Sequence, residues 1–254
     1  MKQHISVLGL FARSSLWKVM AVLLLMSGVE IFFFEKELQA ALTAHAADVG
    51  LGFPQLERLL DRGAANVWFA LAFVLITLLL VLPGCEFRAR SGYTLRRLSV
   101  GEVNIFLWQL SYNVFVYFLM AVWQTVLCYG LCMRYVALAP SAAVSGQTLF
   151  LAFYRSELLH ALLPMADVAL WLRNLFLLAA LGISSAIFPC KQRAGKYSGG
   201  IVALAAYAVV FFERGIGEFS QLAIAVCVWV VAICEPVSFF INRDREEVAT
   251  DETE

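Results

Sequence analysis

The sequence has 254 residues, of which 61% are hydrophobic and only 15% are charged, and its mean hydropathy is +0.79. A soluble domain carries about 45–50% apolar and about 25% charged residues, because its surface must be covered with polar groups. The apolar excess predicts a chain solvated by lipid and excludes a small soluble domain, while the zero net charge gives no indication of nucleic-acid binding.

Six apolar runs are long enough, or nearly so, to cross the hydrocarbon as helices, which takes about 20 residues. Backbone groups find no water in lipid, so the runs are predicted to be helical and the fold all-α. The predicted spans are 16–34, 66–83, 105–133, 166–189, 197–213 and 220–241. They form one polytopic transmembrane domain over 1–241, and a short charged tail follows at 242–254. The fifth span is short and is extended here to Tyr197 and Glu213.

The residues before the first span have an amphipathic pattern. Ile5, Leu8, Ala12 and Leu16 lie at helical spacing, with polar residues away from them. This pattern favours a short interfacial helix on the inner membrane surface. The alternative is that these residues simply extend the first span.

The distribution of Lys and Arg predicts the orientation. With six spans, both termini lie on the same side, and the segments on that side hold twelve Lys and Arg residues against six on the other. Both termini are therefore predicted to be cytoplasmic, in a multi-pass protein of a bacterial plasma membrane.

Two of the predicted outer segments are longer than turns. Pro54–Arg62 has Pro at its start and Gly just after its end, which predicts a short helix. In the other segment, Ser145 is expected to cap a helix that runs to Leu163, either interfacial or re-entrant. Glu157 and His160 share a side of that helix, whereas Arg155 points nearly opposite. A Glu–His pair at this spacing can titrate near neutral pH, although an ordinary interfacial pair is the simpler interpretation.

Charged residues inside spans are costly and are candidates for function. Glu30 lies four residues from the outer end of the first span and is expected to reach the headgroups. Arg173 lies about 10 Å inside the fourth span and either extends outward or pairs with a carboxylate on another helix. Glu235 precedes Pro236, which is expected to kink the sixth span or loosen its last turns. A structural or interfacial role is the simpler interpretation for all three.

No enzyme motif occurs in the sequence. There is no GxxxxGK[ST], HExxH or GxSxG, and the three histidines lie outside the spans, so no catalytic residue is proposed. The six cysteines form no CxxC motif and no cluster with histidine, which argues against a metal site or disulfide framework. They are interpreted as small apolar residues in helix packing.

The loop between the second and third spans, residues 84–104, is the most informative segment. Four arginines are followed by Leu95, Leu98 and Val103 at helical spacing, which predicts a short basic amphipathic helix. Such a helix can bind anionic lipid or dock into a groove of a soluble partner. It leads directly into the third span, so a force on it would reach the membrane helices.

This loop resembles the coupling helix of type-2 ATP-binding-cassette exporters. The resemblance rests on Glu86, Gly92 and the run Thr94-Leu95-Arg96-Arg97-Leu98-Ser99-Val100-Gly101-Glu102 between spans two and three of a six-span chain. In that family, Leu is usually followed by Pro at the position of Ser99, and the outer re-entrant helices usually lie between spans five and six. The chain length is similar to that of small permeases that export, or give immunity to, antimicrobial peptides.

The resemblance implies a half-transporter. Two permease subunits, identical or different, would pair in the bilayer, and each coupling helix would dock on a separate cytoplasmic ATPase subunit that binds ATP and Mg²⁺. This chain itself would bind no cofactor. Arg96, Arg97 and Glu102 would be polar contacts to the ATPase, and Tyr93, Leu95, Leu98 and Val100 would complete the coupling helix.

Other interpretations of the chain remain open. One alternative is a basic loop that only follows the charge rule and contacts lipid. Another hypothesis is a non-transporting membrane scaffold that recruits a different partner through the same loop. A third is a membrane-embedded modifying enzyme, which would need a polar site that the sequence does not reveal. The aromatic content of the spans favours a hydrophobic or amphipathic cargo, such as a peptide or a lipid-like molecule.

Overall fold

The computed structural model describes residues 2–48, 52–82, 85, 101–164 and 167–251. Every regular element in these ranges is an α-helix, as the sequence predicts. The helices are α1 (Lys2–Ala47), α2 (Leu56–Arg62), α3 (Ala65–Val81), α4 (Glu102–Leu138), α5 (Thr148–Arg155), α6 (Glu157–Leu162), α7 (Val168–Arg193), α8 (Gly200–Phe211) and α9 (Glu218–Asp251).

Within the described ranges, four helices are long and apolar enough to cross a membrane. They are α1, α4, α7 and α9. The pair α2 and α3 adds a fifth candidate if the two helices, which are bent by 50° at their junction, are counted as one broken span. The bend is made by Gly63 and Ala64, and Ala64 has the left-handed φ of 52°. The chain is thus an all-α protein with the apolar helices of a multi-pass membrane protein.

The fifth predicted span is the one that the structure shortens. α8 has 12 residues, and at 1.5 Å per residue it is about 18 Å long, less than the roughly 30 Å of hydrocarbon. Tyr197 and Glu213 lie outside the helix, so the predicted extension to these residues is wrong. The short helix has apolar side chains, but its ends are bound by other helices, as described below.

The ends of the chain are more regular than expected. α1 is one continuous helix of 46 residues, so the segment before the first span extends that span and is not a separate interfacial helix. α9 continues through Pro236 and through most of the predicted tail to Asp251. The last turns of the sixth span are therefore helical, contrary to the expected loosening at Pro236.

The outer segments are partly as predicted. The helix expected over Pro54–Arg62 is confirmed as α2. The helix expected from Ser145 to Leu163 is wrong as a single element, because it is divided into α5 and α6 at Ser156, which has an extended backbone. Ser145 is not the N-cap residue of α5, which is Gln147. Ser145 lies in the turn before it, where its Oγ accepts from the Gln147 N–H at 3.4 Å and its own N–H donates to Thr148 Oγ1 at 2.8 Å.

α7 lies at the centre of the bundle. In its apolar window 72% of residues are buried, against 22–33% in the windows of α1, α4 and α9. It packs against α4 and α9 and also against α3, α6 and α8. The backbones of α7 and α4 approach closely at Gly182, where an added Cβ would lie 2.3 Å from Val114 Cγ2. Gly182 is therefore required by this helix contact.

The outer surface of the bundle is apolar. Large apolar side chains are exposed on several helices, including Leu25 and Phe32 of α1, Val126 of α4 and Val230 of α9. Such a surface is compatible with lipid tails as solvent. Cys85, Cys128, Cys132 and Cys190 are buried as expected, whereas Cys227 and Cys234 are exposed on α9, which corrects their predicted place in helix packing.

Candidate functional site

Of the basic loop of 84–104, the structure describes Cys85 near its start and residues 101–104 at its end. Its predicted coupling residues Tyr93, Leu95, Arg96, Arg97, Leu98 and Val100 lie outside the described residues. Glu102 is described, and it forms the first turn of α4, where a carboxylate is favoured by the helix dipole.

Glu102 connects three helices. Its Oε1 lies 3.4 Å from Arg193 Nη2 at the C-terminal end of α7, and its Oε2 contacts Arg243 Nη1 of α9. The Arg193 side chain is only 5% exposed, so this ion pair is largely removed from water. The position where the loop joins α4 is therefore tied by charge to the ends of α7 and α9.

The thiols of Cys85 and Cys190 lie near Arg193. Arg193 Nη2 lies 3.4 Å from Cys190 Sγ, and its charge also acts on Cys85. Burial raises the pKa of the Cys85 thiol, and the positive charge of Arg193 partly opposes this. Cys85 S–H is directed at the carbonyl oxygen of Val81, at 3.4 Å, and so anchors the chain that leaves α3.

Glu235 of α9 lies against the N-terminus of α8. Its Oε1 is 2.8 Å from Lys191 Nζ and also accepts a hydrogen bond from Ser198 Oγ. A Cβ added to Gly200, the first residue of α8, would be 2.7 Å from Glu235 Oε2. Glycine at this position lets the carboxylate approach the helix end, where the backbone N–H groups carry partial positive charge.

Arg173 of α7 lies at the other end of α8. Its guanidinium donates to the carbonyl oxygens of Phe211 at 2.8 Å, Phe212 at 3.0 Å and Arg214 at 2.7 Å. It also donates to Asn174 Oδ1 through Nε and Nη2. Arg173 is 1% exposed, so the predicted extension to the membrane surface is wrong. Its partners are backbone carbonyls, and the predicted carboxylate partner is also wrong.

Asn174 extends this cap to the outer helices. Its Nδ2 donates to the carbonyl oxygens of Phe212, at 3.1 Å, and Ala161 of α6, at 3.0 Å. Carbonyl groups at a helix end have no partner within the helix, and unsatisfied groups are costly in hydrocarbon. Arg173 and Asn174 together satisfy the C-terminal end of α8 and connect it to α6.

Glu30 of α1 is buried at 1% exposure, so its expected contact with headgroups is wrong. Both carboxylate oxygens accept from Gln124 Nε2 of α4, at 3.1 and 2.8 Å. Three residues before Glu30 on α1 and one residue before Gln124 on α4, Trp123 Nε1 donates to Ser27 Oγ at 2.8 Å. α1 and α4 are thus joined by two adjacent hydrogen-bonded pairs.

The buried face of α4 carries further polar side chains that the sequence analysis did not single out. Gln109, Asn113, Tyr117 and Gln124 are each at most 1% exposed. Asn113 Nδ2 donates to Ser185 Oγ of α7 at 2.8 Å, and Tyr117 O–H donates to Thr77 Oγ1 of α3 at 3.1 Å. Their spacing of four or seven residues in an apolar run was the signal that could have revealed this buried polar row.

The outer pair Glu157 and His160 is divided from Arg155 by the break at Ser156. Arg155 Nη1 lies 3.6 Å from Glu57 Oε1 of α2, while the His160 ring meets Tyr154 edge to face at 6.0 Å. In the described structure no hydrogen bond joins Glu157 to His160. The pair proposed from spacing is not formed.

Glu157 instead belongs to an acidic group around Glu213, which follows α8. Burial raises the pKa of Glu213 to about 7, and the nearby carboxylates of Glu157 and Asp61 add to the increase. A hydrogen bond with Asn66 and the charge of Arg214 act in the opposite direction. No set of three or more His, Cys, Asp or Glu side chains in the described ranges is arranged to hold a metal ion.

An apolar groove of about 250 Å³ lies between α4, α6 and α7. Phe118, Val122, Leu163, Trp171 and Leu178 contribute to its wall, and Asn174 is the polar side chain deepest in its lining. Val122 and Val126 on its rim are exposed on the outside of the bundle, so the groove is accessible to a hydrophobic molecule from outside the bundle.

Comparison with known proteins adds no relative: no family model, no curated protein and no solved structure matches the chain significantly.

Proposed function

We propose that the chain is the permease subunit of an ATP-binding-cassette exporter, a half-transporter that works with a separate ATPase subunit. In this proposal both termini are in the cytoplasm of a bacterial cell, and two such subunits pair in the plasma membrane. ATP and Mg²⁺ are bound by the ATPase, and the basic loop of 84–104 docks on it.

The observation that supports this proposal most is the ionic connection of Glu102. The loop joins α4 at this residue, and Glu102 binds Arg193 of α7 and Arg243 of α9. A displacement of the loop by a partner therefore acts on three long helices together. Glu102 serves in this proposal as the link between the docked loop and the bundle, in addition to the ATPase contact expected from the resemblance.

In the proposed topology α8 supplies the fifth of six crossings. The helix is short, and the residues on both sides of it, 196–199 and 212–217, belong to no helix. Non-helical backbone is tolerated at membrane depth where protein groups satisfy it, and Arg173 binds the carbonyl of the last residue of α8 and those of two residues after it. Broken helices of this kind are common near substrate paths of transporters.

The proposed cargo is hydrophobic or amphipathic, a peptide or a lipid-like molecule. The apolar groove between α4, α6 and α7 supports this choice, because its wall consists mostly of apolar and aromatic side chains. A small charged metabolite would find few polar partners there.

The test is affinity purification of the full-length chain from membranes of its native host, followed by a search of the recovered proteins for a P-loop ATPase. We compare the wild type with Arg96→Glu/Arg97→Glu and with a matched control in the same loop, Arg88→Glu/Arg90→Glu. We expect the first variant to lose the ATPase and ATP-dependent export, whereas the control retains both.

If Arg96→Glu/Arg97→Glu still binds the ATPase and supports export, the coupling assignment fails. If both double variants lose the ATPase, the loop attracts it only through general charge and the docking site is wrong. If no ATPase is recovered with the wild type and a different soluble partner is, the scaffold hypothesis replaces the permease.

A further inference from the structure

Glu30 and Gln124 form a buried pair deep in the bundle. Gln124 lies 22 residues after the start of α4 and 14 before its end, which is about 33 and 21 Å along the axis. Gln124 is 0% exposed and Glu30 is 1% exposed. The carboxyl group is thus far from both ends of α4 and removed from solvent.

Charged groups do not compensate Glu30. In the described part of the chain, its hydrogen bonds come from Gln124 alone, and no Lys, Arg or His forms an ion pair with it. α3, which packs on α1, contains no charged residue, and the charges of α4 are Glu102 at its start and Arg134. Arg134 is bound to Glu35, at 2.7 Å.

The other titratable groups beside Glu30 are thiols. Cys128 Sγ accepts a weak hydrogen bond from Gln124 Nε2 at 3.5 Å, and Cys132 follows one turn later. α2 also contacts α1, and its Arg58 and Arg62 line a cavity with Glu37 and His45, about two turns or more beyond Glu30. Among the described residues, a carboxylate at Glu30 therefore has no counter-charge, and an uncompensated charge is expensive in a low-dielectric interior.

The side-chain amide of Gln124 forms hydrogen bonds through its nitrogen, whereas its oxygen accepts none among the described groups. Its Nε2 donates to both carboxylate oxygens, whereas its Oε1 is buried without a hydrogen-bond partner among the described groups. The terminal torsion of Gln is broad, so rotation can bring Oε1 to the carboxyl group. The amide can then donate to the ionised carboxylate or accept the O–H of the acid.

We propose that Glu30 and Gln124 form a proton-binding site inside the membrane domain. The site takes one proton from water, converting the carboxylate of Glu30 into a carboxylic acid, and returns it when the acid ionises; no electrons are transferred. Before protonation, Gln124 Nε2 donates a hydrogen bond to the Glu30 carboxylate. After protonation, Gln124 Oε1 accepts a hydrogen bond from the O–H of the Glu30 acid. Proton binding therefore changes the contact between α1 and α4, and the proposal stands independently of the ATPase.

The site is tested by infrared difference spectroscopy of the full-length protein in lipid bilayers during a pH titration. We expect a protonated-carboxyl C=O absorption that changes with pH, is lost in Glu30→Gln and is kept in the matched control Glu35→Gln. Glu35 lies on the same helix, at the surface and bound to Arg134. Glu30→Gln is nearly isosteric and imitates the neutral acid.

A second variant keeps the test independent of how well Glu30→Gln folds. In Gln124→Leu the acid remains but its amide partner is lost, so the same absorption is expected to shift in frequency. The proposal is overturned if wild type and Glu30→Gln give the same carboxyl spectrum, or if the absorption of Glu30 is constant across the titration. It is also overturned if Na⁺ or K⁺ at constant pH removes the absorption, because the site would then bind a metal cation.

Discussion

Arg173 and Glu235 lie at opposite ends of the same helix, although neither belongs to it. Arg173 of α7 binds the carbonyl groups at the C-terminus of α8, and Glu235 of α9 lies against its N-terminus. The aligned peptide dipoles of a helix place partial negative charge at the first of these ends and partial positive charge at the second. The two side chains thus match the dipole of α8 and hold it between its neighbours.

We expect Arg173→Met to destabilise the protein strongly. The substitution removes all the bonds from the guanidinium to these carbonyls: Arg214 loses its donor, while Phe211 keeps the backbone N–H of Arg214 and Phe212 keeps the amide of Asn174. A buried carbonyl left unsatisfied costs roughly 1–3 kcal/mol. The melting temperature in detergent measures the effect. Arg214→Met is the matched control, because Arg214 contributes only its backbone oxygen to the bond. Equal losses in both variants would show that the carbonyl cap does not stabilise α8.

Gly200 and Gly199 give a sharper test of the N-terminal end. A Cβ at position 200 would collide with Glu235 Oε2, whereas one at position 199 meets no atom within 4 Å. We expect Gly200→Ala to displace Glu235 from Lys191 and lower the melting temperature, and Gly199→Ala to have a much smaller effect. If Gly200→Ala is as stable as the wild type, Glu235 does not require its close approach to α8.

The contact of α7 with α4 depends on Gly182. We expect Gly182→Ala to destabilise the bundle by roughly 1–3 kcal/mol, the range for overpacking, since the added methyl group meets Val114 side chain and backbone. Gly130→Ala on α4 is the control, because its Cβ would meet no atom within 4 Å. In a helix interior that change alone stabilises by about 0.5–1 kcal/mol. Unfolding in denaturant distinguishes the two, and a neutral Gly182→Ala would contradict the packing.

Glu213 makes the stability depend on pH. Its pKa is raised from 4.5 to about 7 in the folded protein, so the folded state binds the proton more tightly than the unfolded state. Its contribution to stability is therefore complete below about pH 4.5 and is lost as the pH rises through about 7. We expect Glu213→Gln to melt above the wild type at about pH 8, with a difference that shrinks towards acid pH.

The control for this prediction is Glu218→Gln, which removes an exposed carboxylate at the start of α9. This variant is expected to follow the wild-type melting temperature across the same pH range. A constant difference between Glu213→Gln and the wild type at all pH values would assign the effect to packing and not to proton binding.

The long apolar runs were enough to predict α1, α3, α4, α7 and α9, because apolar length is the main requirement for a helix in lipid. Pro54 and Gly63 likewise indicated α2. The apolar run of α8 was visibly short in the sequence, but the division at Ser156 and the ends of α8 were not predictable, because each depends on groups from other helices that satisfy the backbone. Orientation and the number of crossings remain predictions.

The partners of the intramembrane charges were also beyond the sequence. Glu30, Arg173 and Glu235 are recognisable as unusual residues, but Gln124, the carbonyls after α8 and Lys191 become their neighbours only in the folded bundle. The regular spacing of Gln109, Asn113 and Gln124 along α4 was visible in the sequence. A window average of hydropathy does not show it, because most residues around them are apolar. Glu102 was predicted to contact an external ATPase. Its ion pairs inside the bundle could not be predicted, because Arg193 and Arg243 lie about 90 and 140 residues further along the chain.

The exposed cysteines of α9 provide natural reporter positions. Cys227 and Cys234 are seven residues apart, about 10 Å along the helix axis, while the other four thiols are buried. Spin or fluorescent labels at these two sites, read against quenchers at known bilayer depths, would fix the level and tilt of α9 in the membrane. With that helix fixed, the depth of Glu235 and hence of the start of α8 follows from the residue spacing.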